Sequence, residues 1–409
     1  MMCAEQVRYP KETYQYSNQE KNWLDEMRKA VCGIPLHPTY SNDFNMLRWL
    51  YAYEGDVMLA AKKYRRHLKI REILQLDTIE EQTEADGIDE AADEYAPMTF
   101  VGEIDSGDSR ILLLEQSGRF DLSQIMQTIR TSAFMLNRFR MMERILRRIQ
   151  IKENETGRIG SAVLVLDLQG LKFQPSLVGF ISGPYRIMWG TLIEQYPSLI
   201  SKILVINAPT FMNVLWGACS SFIPSDYRSK IFLTGENWRD KVNDHFPLES
   251  MPICYGGLRD VNVYAPRPCN PKCYSDQTAL DNFSLECLTI PAGSTMVNIF
   301  YLNQTEIIEF YMQHEQELTM NIFFTTSRHN LSENILEYGD QTEEVFAGCE
   351  RPGMPTLDSW RWRVPYTGFY HVMFGNEKAW IMSVNLKYQI FQIHQNGSKI
   401  KVTPIPPQR

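Results

Sequence analysis

Three signatures of phosphate and ester chemistry are missing from this chain. It has no G-x-x-x-x-G-K-S/T phosphate loop and no G-x-G-x-x-G fingerprint, so a nucleotide cradled on a glycine-rich turn is not expected. A nucleophile elbow, G-x-S-x-G, is missing too; the nearest stretch, Gly107 to Ile111 (GDSRI), lacks the second glycine. Histidine is scarce, seven in 409 residues and scattered singly, so no catalytic triad can be assembled. Cysteine is thin as well: eight, spread through a large chain, which suits a reducing compartment better than a disulfide framework. Cys269 and Cys273 stand close together, but no second close pair follows to complete a zinc site. These absences argue against catalysis and against a resident cofactor or metal.

A basic surplus is also lacking. The net charge of -8 does not fit general nucleic-acid binding. The first residues, MMCAEQVRYPKETYQYSNQEK, contain no apolar core, so a secretory signal is not expected and a cytoplasmic location is. Charge is instead segregated. From Asp77 to Ser109 there are twelve acidic residues and no lysine or arginine, while basic residues crowd 62–71 and 138–158. Two readings are open: solvated helix faces and a loop, or an acidic connector beside a surface that meets anionic lipid headgroups.

What is present is a long uncharged run. After Lys202 the chain reaches Pro224 without a charge, although 22 % of its residues are charged. About 20 apolar residues can span a bilayer. Pro209, however, lacks an amide proton and biases Ala208 away from helix, so one continuous span is disfavoured. The run divides into a strand, a corner and a segment Phe211–Ile223 that is too short to cross. That segment is apolar on more than one face, which requires burial on most sides or contact with lipid.

Around it, RILLLEQ, SAVLVLDL, KILVINA and KIFLTG read as strands without polar alternation, separated by helical stretches including 122–149 and 183–197. Such strands are covered on both faces, so a mostly parallel sheet flanked by helices is expected. Upstream, Val57, Ala61, Tyr64 and Leu68 form one stripe of an amphipathic helix with Asp56 as its N-cap. Downstream of a proline-punctuated linker, TMVNIFYL, LTMNIFFTT, GFYHVMF and AWIMSVNLKYQI alternate as in a β-sandwich.

Specific motifs sharpen this pattern. Tyr196-Pro197 and Lys202 lead to Asn207-Ala208-Pro209, then to Ser229-Lys230-Ile231, then to Pro252 and Gly256-Gly257. Asp167-Leu168-Gln169-Gly170 supplies a D-L-x-G motif, and LRWLYAYEGDV a matching helical lead-in. Together they resemble the CRAL-TRIO lipid-exchange family. Gly368, Tyr370, Phe374, Asn376, Val384, Leu386 and Tyr388 are similar to the closing strands of a GOLD domain. The pairing resembles the supernatant-protein-factor (tocopherol-associated protein) group.

The resemblance implies an α/β CRAL-TRIO domain with an apolar cavity, preceded by a small helical bundle and followed by an all-β GOLD sandwich. The expected bounds are 15–76 for the lead-in, 77–262 for the lipid-binding domain, 263–274 for a linker and 275–393 for the sandwich. It further implies a chamber lined by Leu164, Leu166, Tyr185, Met188 and Trp189, with Lys230 on a phosphorylated headgroup. The alternatives are that Tyr185, Met188 and Trp189 merely pack a helix on the sheet and that Lys230 is a surface lysine. A gate helix would carry Phe211, Met212, Val214, Leu215, Trp216, Phe222 and Ile223. The expected function is binding a hydrophobic lipid and exchanging or presenting it at membranes during transient contact. A non-catalytic adaptor in vesicle traffic, acting on a protein partner through the GOLD module, is the alternative.

The physics of such a carrier is simple. Exposing each CH2 of an acyl chain costs about 0.8 kcal/mol, so free transit of two chains of about 16 carbons is prohibitive at roughly 25 kcal/mol. A closed apolar chamber with a door removes most of that barrier. As to which lipid, Ser198 stands where phosphoinositide-binding members have a glutamate, and Tyr51, Tyr53 and Glu54 replace basic lead-in residues. Ala162 and Leu164 replace polar residues of phosphatidylcholine binders. The departures favour tocopherol, a squalene-like molecule or a retinoid over a phospholipid.

Overall fold

The structure is a computed structural model that describes residues 14–34, 36–104, 108–122, 124–220, 225–269, 285–328, 342–348, 350–394 and 396–406. Helices α1 (Asn18–Ala30), α2 (Asp43–Ala52) and α3 (Val57–Ile73) form the lead-in. Ser17 and Glu20 close a capping box on α1, and Asp56 accepts from the Leu59 amide at 3.0 Å to cap α3. Val57, Ala61 and Tyr64 are buried as their spacing requires. The buried stripe then continues through His67, Ile70 and Arg71.

Two short helices, α4 (Ile79–Asp86) and α5 (Ile88–Tyr95), hold most of the acidic run. Glu80, Glu81, Glu84 and Glu90 on them are exposed. After α6 (Ile125–Thr128), helix α7 (Thr131–Thr156) presents Arg140 to Asp86 at 2.6 Å and to Asp89 at 3.3 Å, and Arg144 to Asp89 at 2.6 Å. Asp86 and Asp89 are thus paired with part of the basic run 138–158 across a helix–helix contact, while the remaining exposed acids form the solvated helix faces that are one of the two expectations.

A five-stranded sheet follows the order β1 (Met98–Glu103), β2 (Arg110–Glu115), β3 (Ser161–Asp167), β4 (Ile200–Ile206) and β5 (Ile231–Leu233). β1 is antiparallel to β2; the remaining neighbours are parallel. Both faces are covered, which explains the continuous apolar strands. Ala162, Leu164 and Leu166 of β3 face the core shared with α7, while Val163 and Val165 face Trp238, Phe246 and Met251. Helices α8 (Pro175–Phe180) and α9 (Arg186–Gln195) flank a π-helical turn, Ile181–Tyr185, that contains Pro184. Helix α10 (Phe211–Cys219) follows the corner after β4.

The helical pattern over 122–149 is broken at Ile129 and Arg130, both extended. The reason lies far along the chain. Asp358 accepts from the amide and hydroxyl of Ser132, at 3.2 and 2.6 Å, and so caps the start of α7 from another domain.

That domain is a sandwich of two antiparallel sheets. One has the order β10 (Glu343–Phe346), β9 (Leu318–Thr325), β13 (Gly368–Gly375), β7 (Thr295–Leu302), with β11 (Glu350–Arg351) also on β9. The other has the order β12 (Met354–Arg363), β8 (Ile307–His314), β14 (Val384–Ile393), β15 (Lys399–Lys401), with β6 (Glu286–Ile290) on β14. Phe300, Phe310, Trp362, Tyr370 and Phe374 fill the space between them. The segment AWIMSVNLKYQI is strand only from Val384 onward. Trp380–Met382 stand outside it, on the preceding loop.

Candidate functional site

An apolar cavity lies where the end of β2, the α6–α7 corner and the α8–α9 pair meet the sandwich. Phe120, Leu122, Ile125, Met126, Phe134, Met135, Phe180, Pro184, Tyr185 and Met188 line it, and Pro352 closes it from the sandwich. Its volume is about 30 Å³. Roughly two water-sized spheres fit in such a space, and no acyl chain does. Filling it therefore requires the walls to part.

One wall can yield. The π-helical turn between α8 and α9 includes Pro184, which has no amide to donate, and no residue of the turn is fully buried. Phe180 and Tyr185 meet there with ring centroids 5.9 Å apart, and Tyr185 and Trp189 at 6.2 Å. Burial pushes the Tyr185 hydroxyl well above its usual range.

The polar part of the cavity wall is Thr131 and one ion pair. Arg138 approaches Glu115 at 3.6 Å, and both side chains are nearly inaccessible. Ser117 donates to Glu115 at 2.7 Å, and Arg138 donates to the Ala96 carbonyl at 2.6 Å. Burial raises the Glu115 carboxyl above its usual range; Arg138 and Ser117 oppose that rise. Neither residue stood out in the sequence. Glu115 ends an apolar strand, and a lone acid there reads as a strand terminus.

Of the residues singled out from sequence, Tyr185 and Met188 line the cavity. Leu164 and Leu166 lie in the adjoining core on β3, and Trp189 packs behind Tyr185 without lining the space. Helix α10 does not line it either. Phe211 meets Phe173 edge-on at 5.5 Å, and Met212 packs on the core. Leu215 is buried, Trp216 is half-buried, and Val214 is 75 % exposed. Phe222 and Ile223 lie outside the described residues.

Lys230 is placed elsewhere, at the start of β5. Its ammonium sits 4.5 Å from the Tyr227 ring centroid, and the Tyr227 hydroxyl takes the Ser198 amide at 3.4 Å. Lys230 and Ser198 thus share one aromatic neighbour. Tyr53 belongs to the same surroundings: burial first, then Glu194 and Tyr227, push its hydroxyl up to about 12.

Three of the remaining motifs meet in a knot at the strand ends. Asp167 accepts from Asn207 Nδ2 at 2.8 Å and from the Gln169 amide at 2.9 Å on one oxygen, and from the Tyr255 hydroxyl at 2.6 Å on the other. Gln116 donates to that hydroxyl at 3.1 Å. Asn207 adopts a left-handed backbone, φ 52°, which turns the chain from β4 towards α10. D-L-x-G, N-A-P and the closing Y-G-G are far apart in sequence, and this one buried carboxylate joins them.

A second, polar cleft of about 340 Å³ separates α9 from the sandwich, with Arg66, Arg186, Glu194, Glu350 and Lys378 on its walls. Arg66 reaches the Gly348 carbonyl at 2.6 Å, and Arg186 reaches Glu317 at 2.5 Å. No described helix is long and apolar enough to cross a membrane, and no cluster of ligands that could hold a metal ion occurs among the described residues.

Comparison with known proteins divides the chain in three. Residues 96–257 match the CRAL/TRIO domain, residues 271–401 an F28H7_8_C-like C-terminal domain, and residues 16–79 a domain of unknown function. A Caenorhabditis elegans CRAL-TRIO domain-containing protein, F28H7.8, is 29 % identical over 386 residues, 92 % of this chain and 90 % of that protein. The Arabidopsis thaliana phosphatidylinositol/phosphatidylcholine transfer protein SFH4 is 25 % identical over 249 residues, covering 58 % of this chain and 39 % of its own length. The crystal structure of Sfh5 aligns with 66 % of this chain and 100 % of its own, at 15 % identity and a TM-score of 0.44.

Proposed function

We infer, from the CRAL/TRIO domain that residues 96–257 form, that this chain binds a hydrophobic lipid and exchanges or presents it at membranes without covalent chemistry. The observation that carries the reading is the apolar cavity between α7 and the π-interrupted α8–α9 pair, with a single ion pair, Glu115–Arg138, in its wall. Apolar side chains line it, so a chain or ring that enters exchanges one apolar setting for another. The Glu115 and Arg138 heads offer an acceptor and a donor to a hydroxyl or carbonyl at the ligand's inner end. Such an arrangement suits a molecule with one small polar group, of the tocopherol or retinoid kind, better than a large headgroup. The transfer protein among the relatives makes a phospholipid the competing ligand.

The cavity is too small for an acyl chain, so opening accompanies loading. We assign the door to two elements: the π-helical turn, which borders the space, and α10, whose exposed Val214 meets the bilayer. Lys230 and its Tyr227 neighbour form a separate surface spot for a phosphorylated headgroup.

The same small volume favours a second reading. A chain that never opens would act as an adaptor through its β-rich module, a GOLD-type sandwich contacting proteins of membrane traffic. Organic extraction of the purified full-length protein, followed by mass spectrometry, decides between the two. The carrier reading expects about one lipid per chain. Protein that yields none, and takes up none from donor vesicles, leaves the adaptor.

A further inference from the structure

The loop that joins β13 to β14 carries Trp380, Ile381 and Met382 in succession, 95 %, 86 % and 61 % exposed. No longer run of consecutive large apolar side chains stands in water among the described residues. Exposure on this scale marks a contact site rather than ordinary surface.

The loop is held, not slack. Asn376, itself buried, donates through Nδ2 to the carbonyls of Ile290 at 3.2 Å and Met382 at 2.9 Å. Its backbone is tied to the neighbouring turn by Gly293 N to Asn376 O at 3.0 Å and Asn376 N to Ser294 O at 2.9 Å. The three side chains are thus presented from a fixed base. That base adjoins the cavity: Lys378 binds Glu350 at 2.8 Å, and two residues further on Pro352 forms part of the cavity wall.

We propose that this tip docks the protein on membranes by inserting Trp380, Ile381 and Met382 into the headgroup–acyl boundary of a bilayer. The occupant follows from size and charge. A stable protein interface takes roughly 800 Å² from each partner, and three side chains on a turn supply about half of that when fully covered. A bilayer accepts a small projecting wedge, and an indole is suited to its interfacial zone. The loop's own charged residues are Glu377 and Lys378, of opposite sign, with Lys378 paired to Glu350. Apolar burial, not attraction to anionic lipid, therefore drives docking. Docking brings the sandwich side of the cavity to the membrane through the short run Glu350–Pro352.

The test is flotation of the full-length chain with phosphatidylcholine vesicles, comparing wild type with the combined variant Trp380→Ser, Ile381→Ser and Met382→Ser. The variant is expected to partition at least about tenfold more weakly while keeping its thermal midpoint, because the three side chains make few internal contacts. Wild-type binding is expected to change less than about twofold in about 0.5 M salt or on adding phosphatidylserine. Equal flotation of the two proteins, or no flotation of the wild type, overturns the proposal. So does strong salt dependence. A wild-type dimer that the variant turns into a monomer, with vesicle binding unchanged, would assign the tip to a second copy instead. Flotation needs no lipid in the cavity. An extraction that yields nothing would thus overturn the carrier reading and leave this docking site standing.

Discussion

Single residues decide two measurable properties. His67 is wholly buried among Tyr40, Trp49 and Tyr196, with one ring nitrogen 3.0 Å from Gln195 Oε1 and the other 3.1 Å from the Tyr40 hydroxyl. Burial first, then the Arg71 guanidinium, push its pKa down to about 3. An unfolded chain would take that proton near about 6.5. Stability is therefore fully present above that value and is lost as pH falls from there towards 3, at up to about 1.4 kcal/mol per unit. We expect wild type to lose about 2 kcal/mol more than His67→Gln between pH 7 and pH 5, read from denaturant midpoints. Parallel losses would mean that the imidazole titrates in the fold as it does in the unfolded chain. Lys230 is the second case. Its removal as Lys230→Ala should weaken binding to vesicles bearing a phosphorylated inositol headgroup about fivefold, as expected for a half-exposed charge contact. Uptake of a neutral lipid should stay unchanged; loss of both would make the lysine structural. The buried polar groups were the least legible part of the sequence. Asp167 and Tyr196 belonged to recognisable motifs, but nothing local marks Glu143, which takes both the Tyr40 and Tyr196 hydroxyls at 2.6 and 2.7 Å and pairs with Arg71. Its partners come from segments about 50 to 100 residues away, and only the fold brings them together.

Among elements, α10 carries the prediction that bears most on exchange. Val214 is 75 % exposed, whereas Leu215 is 7 % exposed, so a charge at the two positions has different consequences. Leu215→Asp would disturb packing and blur the result. Val214→Asp should leave the melting curve within about 0.5 kcal/mol of wild type yet slow lipid exchange between vesicles at least about tenfold, because an aspartate resists entry into a bilayer. An unchanged rate would remove α10 from the door. The strands of the α/β sheet were readable because burial on both faces leaves a continuous apolar run, and the turn after β4 because Pro209 and Asn207 force it. The α6–α7 break was not readable. Its cap, Asp358, is 226 residues beyond Ser132, and no local pattern announces it. The cavity was half-legible for a related reason. Tyr185 and Met188 lie in a helical stretch whose apolar spacing is visible, but the opposite wall comes from α6, α7 and Pro352, whose apolar residues look like ordinary core.

At the scale of the whole molecule, the sandwich is a wall of the cavity as well as a neighbour. Pro352 closes the space, and the surrounding seam is stitched by Arg130 to Ser359 at 2.6 Å, Ser132 to Asp358, Arg66 to Gly348 and Arg186 to Glu317. A lipid that enters from the sandwich side must part this seam. Two of the ties, from Arg66 and Arg186, cross the polar cleft and are partly exposed, so each contributes up to about 1 kcal/mol. Removing both as Arg66→Ala and Arg186→Ala should then lower the cost of opening by about 1–2 kcal/mol and raise the rate of lipid uptake roughly five- to thirtyfold if the seam is the slow step. Both domains should stay folded, because the lost contacts lie in the cleft and not in either core. Stopped-flow uptake of a fluorescent lipid measures the rate. A rate equal to wild type, with Val214→Asp still slow, would place the slow step at α10 and the π-helical turn, and the sandwich would then serve as a fixed wall.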